Sequence, residues 1–189
     1  MRAALCNSGL MKTVFVVLFR GVGGATQLPT GPLRVALADA GFENVATYIN
    51  SGNAVVRSPW AAERSHRTIV SLARDLFGFE KDVFLRSRAQ WRGAVAGNPY
   101  PEADEKPTSV HVFTLERAPA AGAVEALRAR LSPGERIHVE GDTMYMHTPA
   151  GFGTSKTPPL IDRLLGMPTT ARNWNSARKL LELADKADG

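Results

Sequence analysis

The sequence predicts an α+β fold of two successive βαββαβ units, each an antiparallel sheet with helices packed on one face, followed by a C-terminal helix. Three observations support this prediction. Short apolar runs rich in β-branched residues alternate with longer segments whose apolar residues recur every three or four positions. Glycine-containing turns divide two stretches of strand-like sequence into hairpins. The same order of elements occurs twice within 189 residues, a length that suits one large domain or two small ones.

The first unit begins with a strand and a helix. Residues 12–20 (KTVFVVLFR) are apolar at almost every position, which is typical of a central strand covered on both faces. A glycine-rich loop follows this strand. Thr30 is the predicted N-cap of the next helix, with Pro32 in its first turn and Gly41 at its end.

The first unit continues with a hairpin, a second helix and a returning strand. Residues 45–58 (VATYINSGNAVVRS) contain two strand-like arms around Ser51-Gly52-Asn53, where the Gly-Asn pair favours a tight turn. Ser58-Pro59 precedes a helix that ends at Gly78, and residues 82–86 (DVFLR) form the fourth strand. The order βαββαβ is then complete.

A short helix and an irregular connector separate this unit from the next. Ser87 and Gln90 have the spacing of a capping box, which predicts a short helix that ends at Gly97. Residues 98–107 contain three prolines and four charged residues, a composition typical of a loop between units.

The second unit repeats this order of elements, and two such units form the pattern known as ferredoxin-like. Its predicted elements are a strand at 109–115, a helix at 120–131, a hairpin at 136–148 turning at Gly141-Asp142, a helix at 160–165, a strand at 169–172 and a closing helix at 177–187. Aligning the two hairpins on their turn glycines swaps their apolar faces, so we find no repeat of sequence. The predicted organisation is a frayed tail or misassigned start at 1–10, a first unit at 11–87, a helix and connector at 88–107, and a second unit with the C-terminal helix at 108–189.

Composition excludes several classes of protein. Hydrophobic residues make up 44% of the chain and charged residues 22%, as in soluble globular domains. No apolar run approaches the roughly 18 residues of a membrane span, and residues 1–10 do not have the pattern of a signal peptide. Cys6 is the only cysteine, which excludes an internal disulfide and fits a cytoplasmic location. A net charge of +5 permits an anionic partner without requiring one.

Four sequence patches, in this order, resemble a known family. They are Arg20-Gly21, residues 47–53 (TYINSGN), residues 151–156 (GFGTSK) and residues 171–175 (ARNWN). With them the chain resembles, from about Met11 to Ala187, a family of uncharacterised bacterial proteins catalogued as domain of unknown function number 1697. The resemblance implies a pair of ferredoxin-like units and no established activity.

Alternation along the second hairpin groups its polar side chains on one face. A two-residue turn places Ile137, Val139, Met144 and Met146 on the core face. The opposite face is predicted to present a set of polar side chains. Their guanidinium, imidazole and phenol groups suit ligand binding or acid–base catalysis, so this face is a candidate site. An ordinary solvated sheet face is the alternative interpretation. The set comprises Arg136, His138, Tyr145 and His147.

Basic and amide-bearing loops predict a site for an anionic or phosphorylated small ligand. If the open sheet faces of the two units meet across a cleft, polar groups of both hairpins surround it. Loops that lead into helices also offer free backbone N–H groups and the positive end of the helix dipole to an anion. An ordinary turn and helix cap is the alternative. The predicted ligand-binding residues are Arg20, Tyr48, Asn50, Ser51, Asn53, Ser155, Lys156, Arg172, Asn173 and Asn175.

Two further functions stay open. Residues 57–92 contain eight Lys or Arg against four Asp or Glu, which suits either a nucleic-acid backbone or a solvated helix face. Residues 53–57 (NAVVR) lack the stacking aromatics of an RNA-recognition strand, so nucleic acid is not favoured. An enzyme that uses the polar face of the second hairpin is the other alternative. Neither a metal site nor a cofactor is predicted, because no third ligand joins His138 and His147.

Overall fold

A computed structural model describes residues 12–23, 27–50 and 52–189. The predicted tail at 1–10 and the candidate residue Ser51 therefore lie outside the described residues. Among the residues that are described, no helix is both long and apolar enough to cross a membrane.

The first unit forms a four-stranded antiparallel sheet in the order β2-β3-β1-β4, as its βαββαβ sequence predicts. The long apolar strand β1 is central, since it pairs with β3 on one side and β4 on the other. Gly78 ends α2 in the left-handed conformation that glycine favours. The elements are β1 (Thr13–Phe19), α1 (Thr30–Asp39), β2 (Glu43–Thr47), β3 (Asn53–Ser58), α2 (Ala62–Phe77) and β4 (Val83–Ser87).

The second unit has the same topology, with the order β6-β7-β5-β8. The fold class predicted from the sequence, two tandem ferredoxin-like units, is thereby confirmed. Between the units, α3 (Arg88–Ala96) begins at the predicted capping box, and the connector contains the unpredicted short helix α4 (Glu102–Glu105). The second unit comprises β5 (Val110–Leu115), α5 (Ala121–Arg128), β6 (Arg136–Glu140), β7 (Thr143–His147), α6 (Ile161–Leu165), β8 (Thr169–Asn173) and α7 (Trp174–Asp188).

Helix starts depend on the side chain that accepts the first free N–H groups. Asn173 caps α7, because its Oδ1 accepts a hydrogen bond from the Ser176 amide at 2.9 Å. The predicted cap at Thr30 is wrong: Thr30 is the first helical residue, and Pro29 precedes it without a side-chain hydrogen bond. Proline fixes an extended entry into α1 but offers no acceptor.

Each sheet packs one face against the helices of its own unit. In the first unit, alternate residues of β1 and β3 contact α1 and α2 through Leu37 and Ile69. In the second unit, Met144 and Met146 face α5 and α6, as the alternation in the hairpin predicts.

The other faces of the two sheets enclose a third core, and the predicted open cleft between them is wrong. Helices α3 and α7 fill this space, with Trp91, Trp174 and Leu180 packed between strands of both units. The two helices touch, since the Trp91 indole N–H donates to the Ala177 carbonyl at 3.0 Å. Apolar side chains of α7 pack on a sheet face that was predicted to be open. Burying apolar surface is the dominant favourable term in folding, which explains why this face is covered.

Two arginines join the units in a reciprocal arrangement. Arg86 of β4 donates to the carbonyl of Leu115 at the end of β5, at 2.7 Å, and lies 2.9 Å from the carboxylate of Asp142 in the second hairpin turn. Arg172 of β8 donates to the carbonyl of Phe19 at the end of β1, at 3.0 Å, and to that of Gly52 in the first hairpin turn, at 2.9 Å.

The equivalence extends to the helices that follow. Each arginine directly precedes the cap of a central helix, Ser87 for α3 and Asn173 for α7, and each also donates to the carbonyl of the residue before it. The two units are thus related by an approximate twofold arrangement that sequence alignment on the hairpin turns does not show.

Candidate functional site

A cavity of about 670 Å³ lies between the two units, along the outer edge of β8. The first unit contributes the end of β1 and the loop after it, together with Ile49 from the first hairpin. The second unit contributes the whole of β8, the aromatic side chains Phe113 and Phe152, and the start of α7. We refer to it as the inter-unit cavity.

Arg20 lies at one wall of the inter-unit cavity and is fixed by both units. Its Nε donates to the Thr169 carbonyl at 3.1 Å, its Nη1 lies 3.0 Å from Asp82, and its Nη2 pairs with Asp162. The Thr169 hydroxyl donates to the same Asp162 carboxylate at 2.7 Å. Among the described residues these contacts use three of the five guanidinium N–H groups, so two stay available.

Arg172 lines the inter-unit cavity but is bound by the protein itself. All five of its N–H groups donate to protein acceptors, which are the Asn53 amide oxygen, the Thr170 hydroxyl and the carbonyls of Phe19, Gly52 and Ala171. No carboxylate is among these partners, and burial lowers the pKa of the guanidinium to about 10. The side chain predicted as a ligand-binding group therefore supplies positive charge to the cavity and has no free donor.

The start of α7 supplies unbound polar groups to the same cavity. Asn173 and Ser176 line it, and the Ser176 side chain makes no hydrogen bond within the described part of the chain. The Asn173 amide nitrogen is also unbound there, since only its oxygen serves as the helix cap. Both groups lie at the positive end of a 15-residue helix.

His111 is a buried imidazole behind the wall of this cavity. Its ring stacks on that of Phe152, with centroids 3.8 Å apart and planes at 19°. Across the β5–β8 pair it lies opposite Asn173, so its side chain is on the cavity side of the sheet. Burial lowers its pKa to about 4, and its Nδ1 has no partner among the described residues. No sequence pattern distinguishes His111 from an ordinary strand residue.

Only part of the predicted ligand-binding set comes together. Arg20, Arg172 and Asn173 line the inter-unit cavity, and Asn53 is joined to it through Arg172. The loop at 151–156 reaches the cavity through Phe152, which was not predicted as a site residue, because its aromatic ring signals packing as readily as binding. Besides Asn53, the described residues of the predicted set that do not line this cavity are Tyr48, Asn50, Ser155, Lys156 and Asn175.

Those five residues have other surroundings. Tyr48 packs against the third core, and Asn50 borders a separate cavity of about 440 Å³ at the start of α1. The Ser155 hydroxyl accepts from the Thr157 amide at 3.1 Å. Lys156 and Asn175 are exposed.

The predicted strand register of the second hairpin is confirmed, but the predicted exposure of its polar face is wrong. His138 pairs with Tyr145 and Arg136 with His147, as predicted. Tyr145, however, is 1% exposed, and its hydroxyl donates to the Ala94 carbonyl of α3 at 2.7 Å. Burial raises the pKa of this phenol to about 12, which makes it a poor acid at neutral pH.

The other end of this face is a closed polar cluster. Arg136 pairs with Glu102 of α4 and lies 3.0 Å from Nδ1 of His147. Tyr100 covers the guanidinium of Arg136 at 4.9 Å from its ring centre. Burial lowers the pKa of His147. Of the four predicted face residues only Arg136 and His138 are exposed, and none of the four lines the inter-unit cavity.

Four of the eight basic side chains in the segment 57–92 pair with carboxylates. Arg74 pairs with Asp75 at 2.8 Å, Arg88 with Asp188 at 2.7 Å and Arg92 with Asp185 at 2.5 Å. Arg86 is turned toward the second unit. These contacts favour the solvated-face interpretation, since paired surface charges attract a phosphate backbone weakly.

The twofold equivalent of the inter-unit cavity is more acidic. A groove of about 700 Å³ runs between α2 and the outer edge of β4, and His66 closes part of it by a 2.8 Å contact with the Val83 carbonyl. Four carboxylates and three basic side chains line this groove. Two arginines and one aspartate line the inter-unit cavity, and Arg20 also pairs with Asp82, so of these two arginines only Arg172 has no carboxylate partner.

No group of three His, Cys, Asp or Glu side chains suited to a metal ion occurs within residues 12–23, 27–50 and 52–189.

Comparison with known proteins agrees with the fold. The protein is similar to a conserved bacterial protein of Streptococcus pneumoniae whose structure is solved, with 20% sequence identity, a TM-score of 0.66, and coverage of 92% of this chain and 99% of that one. An identity this low supports a shared fold alone. Among curated proteins there is no match. The profile of the family described as Protein of unknown function (DUF1697) matches residues 11–145, and the chain therefore belongs to that family.

Proposed function

We propose that the protein binds a small anionic ligand in the inter-unit cavity. One observation carries this proposal: the cavity combines the guanidinium of Arg172, which has no carboxylate partner, with hydrogen-bond donors that the protein does not use. The donors are two N–H groups of Arg20, the Ser176 hydroxyl and the Asn173 amide. Hydrogen bonds between such donors and an ionised acceptor are stronger than those between neutral groups.

The electrostatic part of the proposal rests on Arg172. With a pKa of about 10 its guanidinium is charged at neutral pH, and no carboxylate lies among its five partners. A buried charge is screened less by solvent than an exposed one. An anion at the start of α7 thus gains from this charge without displacing any protein contact.

Binding of inorganic phosphate and sulfate, measured by isothermal titration calorimetry, tests the proposal. Arg20→Lys keeps the charge but loses the guanidinium donors, and we expect it to weaken binding about tenfold, the loss of one charge-assisted hydrogen bond. Ser176→Ala is expected to weaken binding by a similar factor. Arg86→Lys changes an arginine that lines the other groove, at the twofold equivalent of Arg172; it is the control and is expected to leave binding unchanged.

Two results would contradict the proposal. One is the absence of phosphate and sulfate binding at millimolar concentration and low salt. The other is binding that Arg20→Lys, Ser176→Ala and Arg86→Lys all weaken to the same degree, since that pattern indicates a site elsewhere. A cytoplasmic location and function without a cofactor stay predictions from the sequence.

A further inference from the structure

The inter-unit cavity has an apolar wall as well as a charged one. Phe152 is half-buried, and His111 covers one face of its ring, so the remainder of the ring borders the cavity. Phe113 stands beside it with ring centres 6.0 Å apart, and Pro158 and Pro159 extend the same wall. Stacking on a buried imidazole holds this aromatic surface in place before any ligand arrives.

The first unit adds apolar side chains to the same cavity. Val22 and Ile49 line it, and Ile49 is 50% exposed. Ile49 has a φ of 45°, in the left-handed region that a β-branched residue rarely adopts. An exposed isoleucine in a strained conformation costs free energy in the unliganded protein. Contact with an apolar ligand surface would offset the exposure of its side chain.

We propose that the ligand is an aromatic anion, a planar ring that carries a phosphate or carboxylate group. This inference rests on the proposed function. The ring contacts Phe152 and the side chains of Val22 and Ile49, while the anionic group lies at Arg20 and Ser176. Both halves of such a molecule have a counterpart in the cavity, whereas an inorganic anion leaves the Phe152 and Ile49 surfaces exposed.

Paired probes test this inference: phenyl phosphate against inorganic phosphate, and benzoate against acetate. We expect the aromatic member of each pair to bind at least tenfold more tightly, about what one stacked ring contributes. The proton resonances of the bound phenyl ring should also move upfield because of the Phe152 ring current.

Two variants assign the effect to the apolar wall. Phe152→Leu removes the ring, and Ile49→Asn places at the strained position a residue that tolerates positive φ, so it keeps the fold. Each variant should reduce the ratio of affinities for phenyl phosphate and inorganic phosphate at least threefold and leave phosphate binding unchanged. Val35→Asn, which alters an apolar side chain on α1 that is 58% exposed and lines no part of this cavity, is the control.

The outcomes separate this inference from the one on which it rests. Phosphate binding with an affinity ratio near one, or a ratio that neither Phe152→Leu nor Ile49→Asn changes, would overturn the aromatic ligand and leave the anion site intact. Failure of all four probes to bind would overturn both.

Discussion

Replacing Arg172 by methionine is expected to lower the free energy of unfolding by about 4 kcal/mol. The guanidinium satisfies buried acceptors of the first unit, namely the Asn53 amide oxygen and the carbonyls of Phe19 and Gly52. Methionine fills a similar volume but donates no hydrogen bond, so the Phe19 carbonyl and the Asn53 amide oxygen lose the guanidinium donor, whereas the Gly52 carbonyl still accepts from the Phe19 amide at 2.9 Å. Loss of a donor costs about 1 to 3 kcal/mol for each buried acceptor, which sets the size of the expected loss. Urea unfolding monitored by tryptophan fluorescence measures it.

Two further variants separate this effect from the loss of a positive charge. Arg92→Met removes an exposed arginine that pairs with Asp185, and we expect it to change stability by less than about 1 kcal/mol. Arg86→Met removes the equivalent contact from the other unit and should also destabilise the protein, since it leaves the Leu115 carbonyl without its arginine donor. A loss below 1 kcal/mol for Arg172→Met would show that the guanidinium does not hold the units together.

The second large effect is a dependence of stability on pH that arises from His111. Burial lowers the pKa of this imidazole from 6.5 to about 4. Between these two pH values the imidazole is neutral in the folded protein but protonated in the unfolded chain. The contribution of His111 to the free energy of unfolding is therefore fully present above pH 6.5 and decreases as the pH falls. Near pH 4 it is smaller by about 3 kcal/mol. His111→Phe keeps a ring against Phe152 and removes the titrating group.

Denaturant unfolding of both proteins at several pH values between 7.5 and 4 tests this effect. The difference in unfolding free energy, native minus His111→Phe, should become less favourable to the native protein by about 3 kcal/mol across that range. Other titrating groups, including His147, occur in both proteins and cancel in the difference. Parallel stability curves would contradict a neutral, buried His111.

Local patterns predicted the strands and the faces of their side chains, but not what covers those faces. Alternation in the second hairpin correctly placed Met144 and Met146 toward their own helices and Tyr145 on the other side. Whether that other side meets water depends on α3, whose Ala94 carbonyl accepts a hydrogen bond from Tyr145. Periodicity reports which side of an element is apolar and carries no information about a partner 51 residues away.

The same limit explains the changed role of Arg172. An arginine before a helix cap is typical of an anion site, and the sequence supported that interpretation for Arg172 and Asn173. Its acceptors Phe19 and Asn53 are more than a hundred residues distant in the chain. The structure still places Arg172 beside the cavity, where its charge and the unused donors of Arg20 and Ser176 support the proposed function.

A signal for the inter-unit contact was nevertheless present in the sequence. Residues 85–87 (LRS) and 171–173 (ARN) both combine a strand end, an arginine and a helix cap. Alignment on the hairpin glycines does not superpose these two segments, which share only the arginine in sequence. Phe152 carried no comparable signal, because its contact with His111 joins a loop to a distant strand.

The most direct test of the anion site is the crystal structure of the protein soaked in tungstate, an anion whose position the anomalous signal of tungsten reports. The proposed function predicts a tungstate peak in the inter-unit cavity, within hydrogen-bond distance of Arg20 or Ser176. Peaks confined to the small cavity at the start of α1, or to the basic surface at 57–92, would contradict it.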